Sequence, residues 1–517
     1  MTDGPQETWT ITKPAARGKG GVVASQHYEA SAIGVRVLRE GGNAVDAAVA
    51  MGLAIGAVEP WMSGIGGGGF MIVWQAKERK AWCVGFGMPS PRGLDPKRYP
   101  LTGTTRPGAW WPEVEGDRNL MGYESVGVPG VVDGLATALE RFGTRPFAQM
   151  VQPAAALAER GMTVDWYATA RIAGEAKRLA GHAESARVFL PGGLPAAADS
   201  DQGFLRLKLG RLAETYRRLA RHGPRDFYEG GLAADIAADV QAGGGALGLD
   251  DLRAYRATVA PALSFPYRDV DVHAAAGLNA GPSLKTALDR LGAGWTPGPR
   301  PDAAAFAAYA DALAHAYAER LTRMGDPGLP SGCTTHLSVA DGEGNMVALT
   351  QTLLFLFGSM VMLPRTGILL NNAIAWFDPR PGTPNAIAPA KWPLTNMCPV
   401  AITRNGEGLM AAGASGGRRI LPAVMQLASF VVDHGMDAEA AAHHPRIDVS
   451  GTELATWDPR LGPDVAAAVG RRLKAQPNQP RTMPVGYACP NIVVRERAGG
   501  FAAAAFVNSP WSKAEAA

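Results

Sequence analysis

The sequence predicts a mixed α+β protein, on three observations. Residues 130–263 carry mainly helical patterns. A glycine-dense turn, 63–69, feeds directly into an apolar strand. From Thr334 onward, residues alternate with the two-residue period of strands. With 517 residues and a hydrophobic fraction of 47%, the chain can bury a large core. Length alone would suggest about three domains.

In chain order, residues 20–25 read as a short strand. Ile33, Val37 and Leu38 share one helical face across 30–38, and Gly41-Gly42 ends that helix. Asn43 suits the cap of an alanine-rich helix that stops near Pro60. The glycines of 63–69 permit tight turning and close backbone approach before the strand 70–74. A phosphate loop is the other reading of that cluster, but no Gly-Lys-Ser/Thr follows it. Helices are predicted over 131–142, 146–160 and 205–222, an extended stretch over 266–272, and an alanine-rich helix over 301–324. Residues 326–332 form a Pro/Gly/Ser loop, the kind of place where a chain is exposed and cut.

Charge and cysteine usage exclude several classes. Lys+Arg is 50 and Asp+Glu 47, giving a net charge of +3 without a basic block, so no nucleic acid or anionic membrane partner is expected. Cys83, Cys333, Cys398 and Cys489 form neither a zinc pattern nor a secreted disulfide framework, and no metal or cofactor is expected. Residues 1–19 are polar, unlike a secretory signal. The most apolar stretch, 353–364, is too short to span a bilayer. A soluble cytoplasmic protein is expected.

The chemistry concentrates around Thr334. Thr335, Leu337 and Val339 point one way along this strand; Thr334, His336 and Ser338 point the other. Residues 341–345 form a turn, and 346–352 alternate again. A hairpin centred on Glu343 sets Leu337 opposite Leu349, Val339 opposite Val347 and Thr334 opposite Thr352, with Leu354 next on the face of Thr352. Directly opposed residues have Cβ atoms roughly 5 Å apart, so the two hydroxyls can interact. Threonine also simply suits strands. A second cluster, Gly413-Ala-Ser-Gly-Gly417, follows a strand at 409–412 and precedes a helix from Ile420. Its N–H groups suit an oxyanion hole, because no Cβ blocks the reacting carbonyl; a tight strand-to-helix turn is the equal alternative.

These residues resemble the gamma-glutamyltranspeptidase family. The resemblance rests on Gly21-Val-Val-Ala-Ser25, Leu38-Arg-Glu-Gly-Gly-Asn-Ala-Val-Asp-Ala-Ala48, Val58-Glu-Pro60 and Ser63-Gly-Ile-Gly-Gly-Gly-Gly-Phe-Met71. It continues in Thr334-Thr-His-Leu-Ser338, Gly367-Ile-Leu-Leu-Asn-Asn372, Pro384-Asn-Ala-Ile-Ala-Pro389 and Gly413-Ala-Ser-Gly-Gly417. It covers nearly the whole chain, and it is specific for the family rather than for one activity. It implies a four-layer αββα sandwich of the N-terminal-nucleophile hydrolase type. It also implies a precursor that cuts its own Cys333–Thr334 bond, giving a large subunit, 1–333, and a small one, 334–517, interleaved in one fold. Thr334 would then attack a small-molecule amide, with its freed α-amine as base, to form an acyl-enzyme that water or an amine releases. Gly416 and Gly417 would supply oxyanion N–H groups, and Thr352 would hydrogen-bond the nucleophile. Further dimerisation of the processed pair is left open.

The departures concern substrate. Gly87, in Phe86-Gly87-Met88-Pro89, stands where the family arginine grips the glutamyl α-carboxylate. Leu354 replaces an asparagine, Trp376 the acid that holds the α-amino group, Ala373 an amide or acid, and Thr395-Asn396 a Ser-Ser pair. Leu353, Leu354, Phe355 and Trp376 suggest an apolar wall. Arg418 or Arg365 is then expected to meet a substrate carboxylate, Arg419 lying nearby. His336 is either a base or a satisfied core histidine, and His443-His444 a weak metal hint or a helix-end pair. Cys333 and Cys398 are nucleophiles only in another scheme. The expected function is a self-processing acylase or amidase acting on a non-glutamyl amide, similar to the subgroup of cephalosporin and glutaryl acylases and oxamate amidohydrolase. The alternatives are a gamma-glutamyl transferase or glutathione hydrolase with a rewired clamp, and an unprocessed binding or scaffold protein. Retention of Thr334, Thr352 and the paired glycines argues against the last.

Overall fold

The computed structural model describes residues 9–105, 112–198, 204–325, 333–479, 481 and 486–517. Two seven-stranded antiparallel sheets form its centre. The first runs, edge to edge, Lys513–Ala516, Gly21–Ser25, Cys333–Asp341, Met346–Leu354, Gly68–Gln75, Lys80–Phe86, Thr258–Pro261. The second runs Ala16–Gly18, Phe501–Ala505, Cys489–Arg495, Glu407–Ser415, Val400–Arg404, Val270–Ala274, Leu263–Tyr267. Gly21–Ser25 and Met346–Leu354 flank Cys333–Asp341, and Lys513–Ala516 pairs with Gly21–Ser25, so segments before and after Thr334 share one sheet.

Alternation along the central hairpin divides the layers. Leu337, Val339, Val347 and Leu349 pack on one side against helices that include Tyr28–Arg39, Ala44–Val58 and Val131–Phe142. Ala340, Met346 and Ala348 point into the gap between sheets, where Ala401, Ala411 and Ala503 meet them. Gly281–Gly294, Ala303–Arg323 and Ile420–Val432 cover the outer face of the second sheet. The result is the αββα sandwich that the resemblance implied. The small residues between the sheets suit close stacking of two pleated surfaces.

One turn ties the hairpin to the helical layer. Asp341 Oδ1 accepts the N–H groups of Glu343 and Asn345, both at 3.0 Å, while its Oδ2 accepts that of Ala44 at 2.9 Å. Asn43 caps the same helix in a reciprocal capping box with Asp46. Burial of all fifteen residues of Ala44–Val58 explains its alanine-rich, all-round apolar sequence.

Three expectations change. Residues 205–222 are not one helix: Leu205–Leu207 pairs with Met162–Val164, Gly210 turns at φ 52°, and the helix is Leu212–His222. Leu205, Leu209 and Leu212 carry an apolar pattern across that break. The stretch 266–272 is a hairpin, reversed at Arg268 (φ 55°) between Leu263–Tyr267 and Val270–Ala274. The second glycine cluster is half strand, since Glu407–Ser415 runs through Gly413. The loop at 326–332 lies outside the described residues. Among the described residues no helix is long and apolar enough to cross a membrane.

Candidate active site

The hairpin holds the expected register, Leu337 facing Leu349 and Val339 facing Val347. Near its open end Cys333 pairs with Leu354, and the register shifts between Cys333 and Thr335. Thr334 lies at this irregularity, and its Oγ1 donates to Thr352 Oγ1 at 3.4 Å, long for a hydroxyl pair. Thr352 Oγ1 in turn donates to the Cys333 carbonyl oxygen and accepts the Leu354 N–H at 2.8 Å. Leu354 reaches back with φ 88°, a left-handed conformation that is costly for a branched side chain. The Thr352 hydroxyl therefore bridges the candidate nucleophile and the carbonyl of the Cys333–Thr334 bond.

A cavity of about 370 Å³ opens beside that bond. Cys333, Gln26, Gly416, Arg171, Arg419 and Phe355 contribute to its wall. Gly416 (φ 138°) and Gly417 (φ 62°) make the turn from Glu407–Ser415 into the 3-10 turn Gly417–Arg419 and then Ile420–Val432. The leading N–H groups of such a turn have no partner within it and favour negative charge. Gln26 joins the two halves of the site. Its Nε2 donates to Ser415 Oγ at 2.8 Å, and its Oε1 accepts the His336 N–H at 3.0 Å. The sequence reading missed Gln26; the available signal was a polar residue closing the apolar run Gly21–Ser25.

His336 is a core residue. Its ring is fully buried, bonded to the Thr350 hydroxyl at 2.8 Å and the Ser338 hydroxyl at 2.9 Å, and burial pushes its pKa down to about 3. A Cβ on Gly413 would come within 2.4 Å of that ring, so Gly413 makes room for the histidine rather than facing the cavity. Burial raises the thiols of Cys333 and Cys398 to about 12 and that of Cys489 to about 11, which keeps them protonated and poor nucleophiles. His443 ends the helix Ala438–His443 and bonds the Ala505 carbonyl; with His444 at the cap, it is a helix-end pair.

The arginine expectations need correction. Arg418 is fully buried, with its carbonyl accepting the Tyr317 hydroxyl, and it is Arg419 that lines the cavity. Arg365 pairs with Asp239 at 3.3 Å and does not line the cavity. Leu354, Trp376 and Ala373 pack with Met88 and Met397 in a buried apolar cluster, which meets the cavity through Leu120 and Phe355. Leu353 belongs instead to the helical-side core. A Cβ on Gly87 would stand 3.2 Å from the Trp392 ring. Thr395 and Asn396 accept from Arg320, the Thr395 carbonyl and Asn396 Oδ1 serving as acceptors; neither residue lines the cavity.

Four layers with this hydroxyl pair at the head of the central hairpin define the αββα sandwich of the N-terminal-nucleophile hydrolases. Comparison with known proteins narrows this class. The family model for gamma-glutamyltranspeptidase matches residues 30–332 and 328–506. An Acylase ACY 1 proenzyme from Pseudomonas sp. (strain SE83) is 32% identical over 86% of this chain and 85% of its own. A glutathione hydrolase proenzyme from Escherichia coli (strain K12) is 30% identical over 83% of this chain and 81% of its own. Among solved structures, a cephalosporin acylase from Bacillus halodurans superposes with a TM-score of 0.85 at 24% identity, covering 100% of this chain and 99% of that one. The chain belongs to the gamma-glutamyltranspeptidase family of amide-bond hydrolases and transferases.

Proposed function

We propose that the chain is a proenzyme that cuts its own Cys333–Thr334 bond and then acts as an acylase on a non-glutamyl amide. The observation that carries this reading is the hydroxyl relay from Thr334 through Thr352 to the Cys333 carbonyl. In maturation, Thr334 Oγ1 attacks the Cys333 carbonyl carbon while Thr352 polarises its oxygen. The peptide C–N bond breaks, an ester forms on Oγ1, and the proton passes to the departing nitrogen. Water then cleaves the ester, releasing the Cys333 carboxylate and freeing the Thr334 amine and hydroxyl.

In catalysis the same hydroxyl attacks the substrate carbonyl, its proton passing to the new α-amine. The amine of the substrate leaves with a proton, and water or an amine acceptor takes the acyl group. The N–H groups of Gly416 and Gly417 receive the developing oxyanion. Location of Gly416 and Cys333 in one cavity wall supports this division of labour. The apolar cluster of Met88, Leu354, Ala373 and Trp376 supports a substrate without a zwitterionic glutamyl head. Subunits 1–333 and 334–517 remain interleaved after the cut. A cytoplasmic setting is part of this proposal, and cell fractionation tests it.

Purified protein should show two bands, the smaller beginning Thr-Thr-His-Leu-Ser. Thr334→Ala should stay one chain and hydrolyse nothing. Splitting of Thr334→Ala at this bond would remove Thr334 as nucleophile. A single wild-type band of about 54 kDa would favour the scaffold reading.

A further inference from the structure

Arg171 has no role in the attack and none in the family resemblance. It stands on the helix Trp166–Leu179 and lines the cavity with Cys333 and Gly416. One terminal nitrogen donates to Tyr167 Oη at 3.0 Å, and the guanidinium lies 4.8 Å from the centre of the Tyr167 ring. Its Nε is buried without a hydrogen-bond partner among the described residues. The other cavity arginines are occupied: Arg178 by Glu175 at 3.0 Å, Arg419 by Asp448 at 3.8 Å. Glu59 lies near Arg171, but burial pushes that carboxyl up to about 8, leaving it largely uncharged at neutral pH.

A half-buried guanidinium in a cavity wall favours an anion as its neighbour there. Its planar fork of N–H donors matches a carboxylate better than an apolar group or a neutral amide. We infer that Arg171 is the carboxylate anchor of this cavity, selecting amides that carry a carboxylate away from the scissile bond. The inference rests on the acylase reading for the word amide, and it replaces the expected Arg418 and Arg365. Tyr167 holds one terminal nitrogen in place, and the guanidinium forms part of the cavity wall. The carboxylate sits on either the acyl half or the amine half of the substrate.

The test compares kcat/KM for glutaryl-p-nitroanilide and valeryl-p-nitroanilide, which differ by the acyl carboxylate. A second pair, the valeryl amides of 4-aminobenzoate and aniline, places it on the amine half. In one pair the wild type should favour the charged member by about 30-fold or more, the scale of a desolvated charge pair. Arg171→Gln should bring that ratio close to one, mainly through KM, with Arg171→Lys between. A ratio unchanged in Arg171→Gln overturns the inference. So does slower maturation with an unchanged ratio, which would assign Arg171 to the new Cys333 carboxylate. Calorimetry with glutarate on the full chain reads the site without catalysis. Glutarate binding lost in Arg171→Gln, in a protein that hydrolyses neither pair, keeps the anchor and sinks the acylase reading. Should Arg171→Gln fail to fold, equal inhibition of the wild type by glutarate and pentanamide overturns the anchor.

Discussion

The two ends of the site obey different rules. At the end proposed to react, Thr334, Thr352 and Gly416 are held by backbone geometry: a hairpin register, an irregularity at its mouth and a left-handed glycine turn. At the other end, where the resemblance places a glutamyl clamp, Gly87, Leu354, Ala373 and Trp376 have given up every charged or amide group. An apolar cluster fills the space. Attack on a carbonyl needs a hydroxyl, a base and N–H donors in fixed positions, and few residue types can supply them. Recognition needs only complementarity, which packing satisfies in many ways. The fold can therefore keep one end while the other is rebuilt.

The comparison breaks first at Thr352. If the reacting end is a positioned relay, Thr352→Ala should slow both maturation and turnover by about 10²–10³-fold, as for loss of a positioned catalytic hydrogen bond. Thr352→Ser keeps the oxygen and should retain much of both. Fragment formation over time and kcat of the processed form measure the two effects. Unchanged kinetics in Thr352→Ala would take the residue out of the mechanism.

The recognition end gives the next effect. A glutamyl head brings a carboxylate and an ammonium, and the cluster around Leu354 and Trp376 offers neither a partner. Loss of a desolvated charge partner costs roughly 2–5 kcal/mol, so gamma-glutamyl-p-nitroanilide should lag glutaryl- or phenylacetyl-p-nitroanilide by at least about 30-fold in kcat/KM. A clear preference for the glutamyl compound would restore a rewired gamma-glutamyl hydrolase. Gly87→Arg alone should not create that preference, because the Trp392 ring covers the position and Leu354 and Trp376 stay apolar.

Legibility in the sequence followed the same division. The pairing of Thr334 with Thr352 was readable because strand period and turn position fix register over nine residues. The irregularity that sets Cys333 opposite Leu354 was not, since nothing in the residue types marks it. Both glycine clusters were visible, but their purposes were not. Cβ atoms on Gly67 and Gly69 would meet the Thr352 and Thr350 carbonyl oxygens at 2.2 and 2.3 Å, so the first cluster serves close approach to the strand that carries Thr352. In the second, only Gly416 and Gly417 need a positive φ. Arg418 was expected at the substrate, whereas Arg419 lines the cavity. A 3-10 turn rotates about 120° per residue, so a one-residue error selects a different side. Gln26 and Arg171 come from segments distant in sequence, and only the packed fold brings them to Cys333.

A smaller effect separates the reacting strand from what lies behind it. Glu59 caps the helix Ala44–Val58 and is 1% exposed, with Oε2 unpartnered among the described residues. Burial raises its pKa from 4.5 to about 8; Arg171 and the nearby Thr335 hydroxyl only partly oppose this. The Thr335 hydroxyl is close enough to act electrostatically but makes no hydrogen bond of normal geometry, which leaves burial in command. In the unfolded chain the carboxyl releases its proton near 4.5; in the folded protein it keeps it to about 8. Between those values the native state binds more protons than the unfolded state, so this residue makes stability fall as pH rises from about 4.5 to about 8, then level off. Glutamine imitates the neutral acid without titrating. Glu59→Gln should therefore match the wild type in Tm near pH 5 and exceed it near pH 9. Scans at pH 5, 7 and 9 on the uncut Thr334→Ala background isolate the effect from changes in processing. A difference in Tm that does not grow with pH would mean that Glu59 is ionised in the fold. A charged Glu59 beside Arg171 would also remove the reason for that arginine to seek a carboxylate in the cavity.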